Sequence, residues 1–366
     1  MAGLQSNPPP VERSDVSPLP RSGPASRRGA LVAVALSACV AAAAATTAAP
    51  AQAGPGVRDP LTGVRVASTG PVIAIKVANT PQARPQSGLR SADQVWVEEQ
   101  EGGWTRFIAL YGSAYPTKVG PVRSVRETDL GVLGQFGRPG LAYAGGDAPV
   151  VAKVAASASV RNLGSAAVVN GAPIRPLAYA TDRSRKVPYN FYANAARLKI
   201  FGNLAGATKA RHMGFVFAAP KTRGIRTSTL GVVWSKNASM QAVWSKKLGA
   251  FVMMADKLVL LDRETKKPLT AKNIVVMRVS YSLSKINRSR YPVPVLRTVG
   301  RGAVTVLRDG ARWTGTWNRP TAASGTSLLN ARGRTITLAA GQTWVMLVPV
   351  GRSLNKPYVL RSVTVR

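Results

Sequence analysis

Acidic residues are scarce in this chain and crowded into one stretch, which limits how that stretch can fold. Six of the 15 Asp and Glu residues lie between positions 93 and 129, whereas the 366-residue chain carries 50 Lys and Arg and a formal net charge of +35. The stretch also contains Trp96, Trp104, Arg106, Lys118, Arg123 and Arg126. Because a solvated basic surface would spread its few carboxylates, we expect a fixed polar cluster in which arginines pair with the acids.

Residues 1–53 have the layout of an export signal. A Pro- and Ser-rich leader ends in Arg27-Arg28, and no charged residue occurs from Gly29 to Ala53. The small residues Ala51-Gln52-Ala53 are typical of a signal-peptide cleavage site. A retained membrane anchor is the alternative, which the alanine-rich composition and the interrupting Pro50 disfavour.

The single cysteine, Cys39, offers a second way to process this leader. It follows Leu36-Ser37-Ala38 as in a bacterial lipobox, so Cys39 is a candidate for lipidation. The apolar run from Val40 to Ala45 is unlike the polar tether of most lipoproteins, and we favour cleavage after Ala53. Either choice places the functional body outside the cytoplasm, in the envelope or secreted.

The composition of the mature chain limits the kinds of molecule that it is expected to bind. Cleavage after Ala53 removes four of the 50 basic residues and two of the 15 acidic ones, so the chain stays strongly basic. It then has no cysteine and must be stabilised by apolar burial. We expect attraction to an anionic cell-wall polymer or an anionic lipid surface, and no nucleic acid partner because of the export signal. The alternative, that the charge only reflects a genomic preference for Arg, stays open.

Periodicity predicts an α+β protein with two domains. In the first half, apolar runs predict strands at Pro71–Ala78, Val95–Glu99 and Thr105–Tyr111, with a tight Gly102-Gly103 turn between the last two. Helices are predicted at Thr128–Phe136, Ala148–Ser157 and Asn194–Phe201. From about residue 214, short strands follow at close spacing, including Phe215–Phe217 and Thr335–Leu338. We predict a mixed α/β domain over residues 57–210, a β-rich domain over 211–350 and a basic tail over 351–366.

A series of ordered motifs resembles the YerB-like putative lipoprotein family of bacterial envelope proteins. The motifs in this sequence are Asn79-Thr80-Pro81-Gln82-Ala83-Arg84, Ala92-Asp93, Glu101-Gly102-Gly103, Gly120-Pro121-Val122-Arg123-Ser124 and, in the second half, Gly341-Gln342-Thr343-Trp344. The resemblance spans roughly residues 65 to 350. It implies an exported, two-domain and often lipid-anchored protein, with no settled biochemical activity.

Two positions depart from that family's pattern. Pro188-Tyr189-Asn190 stands where a Pro-His-Asn triplet is expected, and Phe251 to Met254 replaces a segment that is expected to contain an arginine. If those positions belonged to a catalytic site, this chain would be a weakened or inactive member.

Several kinds of active site are not supported by the sequence. One histidine, His212, and no cysteine beyond Cys39 make a transition-metal site implausible, so we predict no metal and no cofactor. Neither a Gly-x-Ser-x-Gly nucleophile motif nor a glycine-rich phosphate loop occurs. The best enzymatic alternative is a wall glycan hydrolase or transferase that uses a carboxylate pair among Glu98, Glu99 and Glu101, in which Glu99 and Glu101 would share one strand face.

Our favoured hypothesis is a non-enzymatic envelope protein that binds an anionic wall component or an envelope partner. Guanidinium groups suit carboxylate and phosphate, and flat tryptophan faces suit sugar rings. The candidate ligand-binding residues are Arg84, Asp93, Glu101, Arg106, Arg123, Arg126, Asp147 and Asn190. Five of them are expected to converge in space, namely Asp93, Glu101, Arg106, Arg123 and Arg126. The sequence does not predict the oligomeric state.

Overall fold

A computed structural model describes residues 56–352 and 361–366 of the chain. The predicted export signal, the lipidation candidate Cys39 and residues 353–360 of the basic tail lie outside the described residues. Within the described part, no helix is long and apolar enough to cross a membrane.

The first half alternates strands with short helices. Its strands are β1 (Val57–Arg58), β2 (Arg65–Val66), β3 (Ile73–Ala78), β4 (Gln94–Glu99), β5 (Thr105–Tyr111), β6 (Gly140–Ala142), β7 (Arg161–Asn162), β8 (Val168–Val169), β9 (Ala172–Pro173), β10 (Tyr179–Thr181) and β11 (Phe191–Ala193). Its helices are α1 (Glu127–Leu133), α2 (Ala148–Ala155), α3 (Arg175–Ala178) and α4 (Ala195–Leu204). The three predicted strands and three predicted helices are therefore present, with small shifts at their ends.

The second half contains only strands among its regular elements that the structure describes. They are β12 (Ile225–Arg226), β13 (Thr229–Ser235), β14 (Ala238–Ser245), β15 (Ala250–Ala255), β16 (Leu258–Val259), β17 (Thr270–Ala271), β18 (Asn273–Val279), β19 (Tyr281–Leu283), β20 (Pro294–Leu296), β21 (Gly300–Arg308), β22 (Ala311–Arg319), β23 (Ser327–Leu329), β24 (Thr343–Pro349) and β25 (Ser362–Val365). The predicted β-rich texture of this half is confirmed.

Two of the predicted strands are not strands. The segments Phe215–Phe217 and Thr335–Leu338 form only isolated bridges. One bridge joins Phe217 to Leu338. Phe215 instead stacks on Trp96, with 6.5 Å between the ring centroids. The apolar residues of such a segment are buried by side-chain packing rather than by a backbone ladder, and the sequence pattern is the same in both cases.

One mixed sheet joins the two halves of the chain. Its order is β12-β22-β21-β18-β24-β4-β5-β3-β6-β7, with β23 added beside β22. β24 from the second half lies parallel to β4 from the first, and Trp344 is the register partner of Val95. The two predicted domains thus contribute neighbouring strands to one sheet, and their boundaries at 57–210 and 211–350 stay a prediction.

Both faces of the large sheet are covered, so its central strands are apolar on both sides. On β3, Ile73, Ile75 and Val77 belong to a core that includes the second sheet, which has the order β16-β15-β14-β13-β25 with β17 beside β15. Ala74 faces the opposite core, which contains apolar residues of α1 and α2. Any charged side chain on these strands must therefore find a partner inside the protein.

Candidate functional site

The acidic cluster begins at a hairpin turn. β4 and β5 are antiparallel, with Glu98 opposite Arg106. The connection Glu101–Gly103 is a single 3-10 turn in which Gly102 and Gly103 have φ angles of 68° and 74°. Glycine enters this left-handed region at little cost, so the Gly-Gly pair sets the point at which the chain reverses. The predicted tight turn is confirmed.

Two side chains from the second half hold this turn in place. Ser235 Oγ donates a hydrogen bond to the Gly103 carbonyl at 2.7 Å, and Asn237 Nδ2 donates to the Gly102 carbonyl at 3.0 Å. Ser235 ends β13, and Asn237 lies in the turn before β14. Backbone carbonyls of a tight turn would otherwise need solvent, so these contacts fix the position of the neighbouring Glu101 side chain.

Glu101 forms ion pairs with two arginines. Arg106 Nη2 lies 2.9 Å from Glu101 Oε1, and Arg126 Nε lies 2.8 Å from Glu101 Oε2. Arg126 Nη2 also donates to Glu101 Oε1. Both arginines also donate to backbone carbonyls, Arg106 Nη1 to Ser124 O at 3.0 Å and Arg126 Nη1 to Val125 O at 2.7 Å. The structure therefore brings together three of the five residues that were expected to converge.

The local electrostatics keep Glu101 ionised. Burial works to raise its pKa, but the charges of Arg106 and Arg126 and their hydrogen bonds outweigh burial and lower the pKa of Glu101 to about 2. Burial and the neighbouring Arg126 lower the pKa of Arg106 to about 10, so this arginine is still protonated at neutral pH. Two positive charges thus lie against one negative charge.

A second group of charges lies on the same strands and is fully buried. Lys76 Nζ pairs with Glu98 Oε1 and, at 2.7 Å, with Asp129 Oδ1. Asp129 Oδ2 accepts the backbone N–H of Arg126 at 2.7 Å, which caps the N-terminus of α1. Burial lowers the pKa of Lys76 to about 8 despite the opposing charge of Asp129. This group connects to the Glu101 cluster through the backbone of Arg126.

An open cleft of about 340 Å³ borders the Glu101 cluster. It is lined by residues from both halves of the chain, namely Ala78, Asn79, Thr80, Gln100, Glu101, Gly102, Trp104, Thr105, Arg106, Arg123, Tyr189, Asn237 and Tyr291. These residues come from the end of β3 and the residues after it, from the β4–β5 hairpin, and from four loops that contain Arg123, Tyr189, Asn237 and Tyr291. Charged, polar and aromatic side chains therefore share one cleft.

Arg123 is the cleft cation with the fewest ties to the protein. It forms no salt bridge among the described residues. Its Nη1 donates to Pro188 O at 3.5 Å, a long hydrogen bond, and its guanidinium lies 5.4 Å from the ring centroid of Tyr189. Arg123 thus joins Glu101, Arg106 and Arg126 at the site, as expected, with a charge that no carboxylate offsets.

Asp93 does not belong to this site, and its predicted convergence is wrong. It precedes β4 whereas Glu101 follows it, and a strand rise of about 3.3 Å per residue separates the two by roughly 20 Å. Asp93 Oδ2 accepts the Ser113 N–H at 3.1 Å, and its other oxygen accepts the Ser113 hydroxyl. Burial and the nearby Asp59 raise the pKa of Asp93 to about 7.

Arg126 pairs with Glu101 without lining the cleft, and the other three candidates also lie outside the lining. Arg84 pairs with Asp256 at 2.7 Å and donates to the Asn79 carbonyl, so it joins the two halves of the chain. Asp147 precedes α2 and accepts the Arg288 N–H at 2.7 Å. The carbonyl of Asn190 accepts the Asp182 N–H at 2.7 Å.

The predicted common face of Glu99 and Glu101 is also wrong. β4 ends at Glu99, so Glu101 lies in the turn and does not continue the strand alternation. Glu99 is buried against Arg361, whose Nε lies 2.6 Å from Glu99 Oε2. Burial raises the pKa of Glu99 although Arg361 opposes the shift. Of the three glutamates considered for a carboxylate pair, only Glu101 lines the cleft.

Sequence reasoning missed several cleft residues. Thr80 lies in a motif that was recognised, and Tyr189 occupies the position where the family pattern has histidine, so both carried a signal. Gln100 lies between Glu99 and Glu101, and no sequence pattern marks it as a binding residue. Asn237 and Tyr291 come from hairpins and loops of the second half, and no local pattern distinguishes them. Of the two tryptophans, Trp104 lines the cleft and Trp96 is buried in the core.

Comparisons with known proteins match both halves of the chain. The family described as Protein of unknown function (DUF3048) matches residues 61–209 with its N-terminal domain and residues 230–345 with its C-terminal domain. The Bacillus subtilis (strain 168) protein named "Putative lipoprotein YerB" is 28% identical over 302 residues, which cover 80% of this chain and 86% of that protein. A crystal structure of the YerB protein from Bacillus subtilis has a TM-score of 0.68 at 22% identity, covering 84% of this chain and 99% of that one. The latter likeness shows that the fold is shared.

Proposed function

Because this chain belongs to DUF3048, a family of proteins of unknown function, we propose its role from the cleft: it binds an anionic component of the cell wall without chemical turnover. The observation that carries this proposal is the charge balance of the site. Two guanidiniums, those of Arg106 and Arg123, line the cleft together with its single carboxylate, Glu101, which Arg126 pairs with from outside the lining. Guanidinium is the cation that best binds phosphate and carboxylate groups.

The location follows from the leader and from the relative. Residues 1–53 have the pattern of an export signal, and the Bacillus relative is named as a lipoprotein. A basic protein in that compartment meets anionic wall polymers before other polyanions, and its overall charge concentrates it near them. The cleft then supplies a defined binding site beyond this general attraction.

A wall glycan hydrolase or transferase is less well supported by the cleft. Glycoside hydrolysis needs two carboxylates, one of which has a raised pKa and acts as the acid. The pKa of Glu101 is lowered by its two arginines, and Glu98 and Glu99 are buried in ion pairs with Lys76 and Arg361. The charge pattern around Glu101 therefore favours binding over acid catalysis.

Cosedimentation with purified cell wall tests the proposal. We expect the mature protein to be retained at low salt and released as salt rises, since screening weakens the attraction. Arg123→Gln is expected to weaken retention severalfold. Arg90→Gln is the matched control, because Arg90 is an exposed arginine outside the cleft that, like Arg123, donates to a backbone carbonyl and forms no salt bridge among the described residues.

Three results would contradict the proposal. Absence of retention even at low salt would show that the protein does not bind the wall. Equal losses in Arg90→Gln and Arg123→Gln would assign retention to overall charge rather than to the cleft. Binding to vesicles of anionic lipid without binding to wall would replace the wall component by a membrane surface.

A further inference from the structure

Two buried polar atoms of the cleft lining have no hydrogen-bond partner. They are Gln100 Oε1 and Thr80 Oγ1. Gln100 is only 2% exposed. Leaving a buried acceptor unpaired costs about 1–3 kcal/mol, so such an atom calls for a physical explanation. A ligand that donates a hydrogen bond to Gln100 would remove this cost.

The orientation of Gln100 is fixed by its neighbour. Its Nε2 donates to Glu98 Oε1, and the Glu98 carboxylate is held by Lys76. One N–H of the amide is thereby used, and the carbonyl oxygen, which can only accept, is left without a partner. A carboxylate or a fully ionised phosphate ester has acceptors alone and cannot satisfy it, so such a ligand must also carry an O–H or N–H group.

The other amides of the lining are already in use. Asn79 donates to Thr105 Oγ1 at 2.8 Å and accepts from Arg84 Nε at 3.2 Å. Asn237 donates to the turn carbonyl of Gly102. The lining groups available to a ligand thus include Gln100 as acceptor, Thr80 as a hydroxyl and Arg123 as a cation without a salt bridge.

Aromatic rings complete this set. Trp104 and Tyr189 are half-buried in the lining, and Tyr291 is 47% exposed at the rim. An amphipathic ring buries apolar surface while its edge stays polar, which suits the face of a sugar. The cleft volume of about 340 Å³ lies at the small end of the roughly 300–1,000 Å³ typical of ligand pockets, so one sugar unit fits better than a long segment.

We propose that the cleft recognises a single sugar unit that carries an anionic group, either phosphate or carboxylate. Arg123 binds the anion, Gln100 Oε1 accepts a hydrogen bond from a sugar hydroxyl or acetamido N–H, and Trp104 or Tyr189 packs against the sugar ring. This inference rests on the proposed function and adds the class of ligand. It makes Gln100 a binding residue, which charge alone does not require.

Calorimetric titration of the full mature chain with four probes tests the inference. The probes are N-acetylglucosamine 1-phosphate, glucuronate, N-acetylglucosamine and inorganic phosphate. We expect at least one of the two anionic sugars to bind about tenfold more tightly than both inorganic phosphate and the neutral sugar. Which of the two binds more tightly identifies phosphate or carboxylate as the anionic group.

Two variants separate sugar recognition from anion attraction. Gln100→Met removes the acceptor at similar length, and is expected to abolish the tenfold preference while the affinity for inorganic phosphate is unchanged. Trp104→Leu removes a half-buried ring and is also expected to abolish the tenfold preference. It replaces Gln100→Met in the test if that variant does not fold. Gln241→Met, in the half-exposed part of β14 outside the cleft, is the control and should leave all four affinities unchanged.

The outcomes distinguish this inference from the proposed function. Equal affinities for inorganic phosphate and both anionic sugars, unchanged in Gln100→Met and Trp104→Leu, would overturn sugar recognition while leaving anion binding intact. An anionic-sugar preference that survives both substitutions would also overturn the assignment of these residues. If no anion binds and wall retention is absent, the proposed function itself is wrong.

Discussion

The sealed acids of this protein, Glu98 and Glu99, have surroundings opposite to those of its cleft acid, Glu101, although all three are near neighbours in sequence. Glu98 and Glu99 are buried, and each is paired with a cation: Glu98 shares Lys76 with Asp129, and Glu99 pairs with Arg361. Glu101, two residues later, lies at an open cleft beside more cations than it can offset. Ion pairs in a region closed to solvent stabilise one conformation of the chain, whereas a cation without a carboxylate partner at an opening is suited to an external anion.

The largest expected effect is at the buried lysine. Lys76→Met leaves Glu98 and Asp129 without their cation in a region closed to solvent, so we expect the free energy of unfolding to fall by about 3–5 kcal/mol. Urea denaturation measures this change. Lys153→Met is the control, since Lys153 is 52% exposed in its pair with Glu127 and should change stability by less than about 1 kcal/mol. Similar losses in the two variants would contradict the contrast between sealed and open acids.

A double substitution tests whether Arg361 stabilises the protein mainly by pairing with the buried Glu99. Arg361→Met strands Glu99 in the core and should lower the free energy of unfolding by about 3 kcal/mol. Adding Glu99→Leu removes the stranded charge, so the double variant should recover most of that loss. Chemical denaturation of the single and double variants gives the coupling. Recovery is not expected if Arg361 acts mainly through its hydrogen bond to the Arg352 carbonyl and its contact with Tyr281.

Glu101→Gln is expected to act in two directions. Loss of the carboxylate leaves Arg106 and Arg126 with weaker acceptors, which should cost about 1–3 kcal/mol of stability. The cleft also becomes more positive, so retention on purified wall at low salt should increase. Thermal denaturation and cosedimentation measure the two effects. Release of soluble wall fragments by the parent protein, lost in a folded Glu101→Gln variant, would instead support the hydrolase alternative.

The smallest expected effect is a change of pH dependence. Asp93 has a folded pKa of about 7, above its ordinary 3.8. As pH rises from about 4 to 7, the unfolded chain releases this proton before the folded protein does, so stability is lost across that window. Asp93→Asn should therefore show a smaller decline between pH 4 and 7 in denaturation experiments.

Glu101 has the opposite sign and provides the comparison. Its folded pKa of about 2 lies below the ordinary 4.5, so its contribution is present above pH 4.5 and is lost as pH falls towards 2. Glu101→Gln should flatten only this acidic limb. Matching pH profiles for the two variants would show that the two carboxylates are not in opposite environments.

Local sequence determined the elements that carry the site. Two apolar runs around Gly102-Gly103 predicted the β4–β5 hairpin, because glycine adopts the positive φ angles of a tight turn at little cost. The surplus of arginine predicted that Glu101 would be paired, and Arg106 lies close enough along the hairpin to be its partner. The motif order predicted the family, which spans both halves of the chain.

Other features depended on contacts that no local pattern contains. Asp93 was grouped with Glu101 because the two are close in sequence, but an extended strand carries its ends roughly 20 Å apart. The contributions of Asn237 and Tyr291 to the cleft come from segments more than a hundred residues away. β24 of the second half lies beside β4, a parallel pairing that the order of strands along the chain does not reveal.

The sequence by itself determined that a cluster of acids would lie among arginines in an α+β chain with an export-like leader, since composition and turn chemistry are local properties. Only the tertiary structure decided which acid is sealed and which is open. Alternation along β4 sends Glu98 and Glu99 to opposite faces, and the packing of distant strands brings Arg361 over one of them. Burial and charge pairing are properties of the assembled fold, because the partner that neutralises an acid is chosen by three-dimensional proximity rather than by distance along the chain.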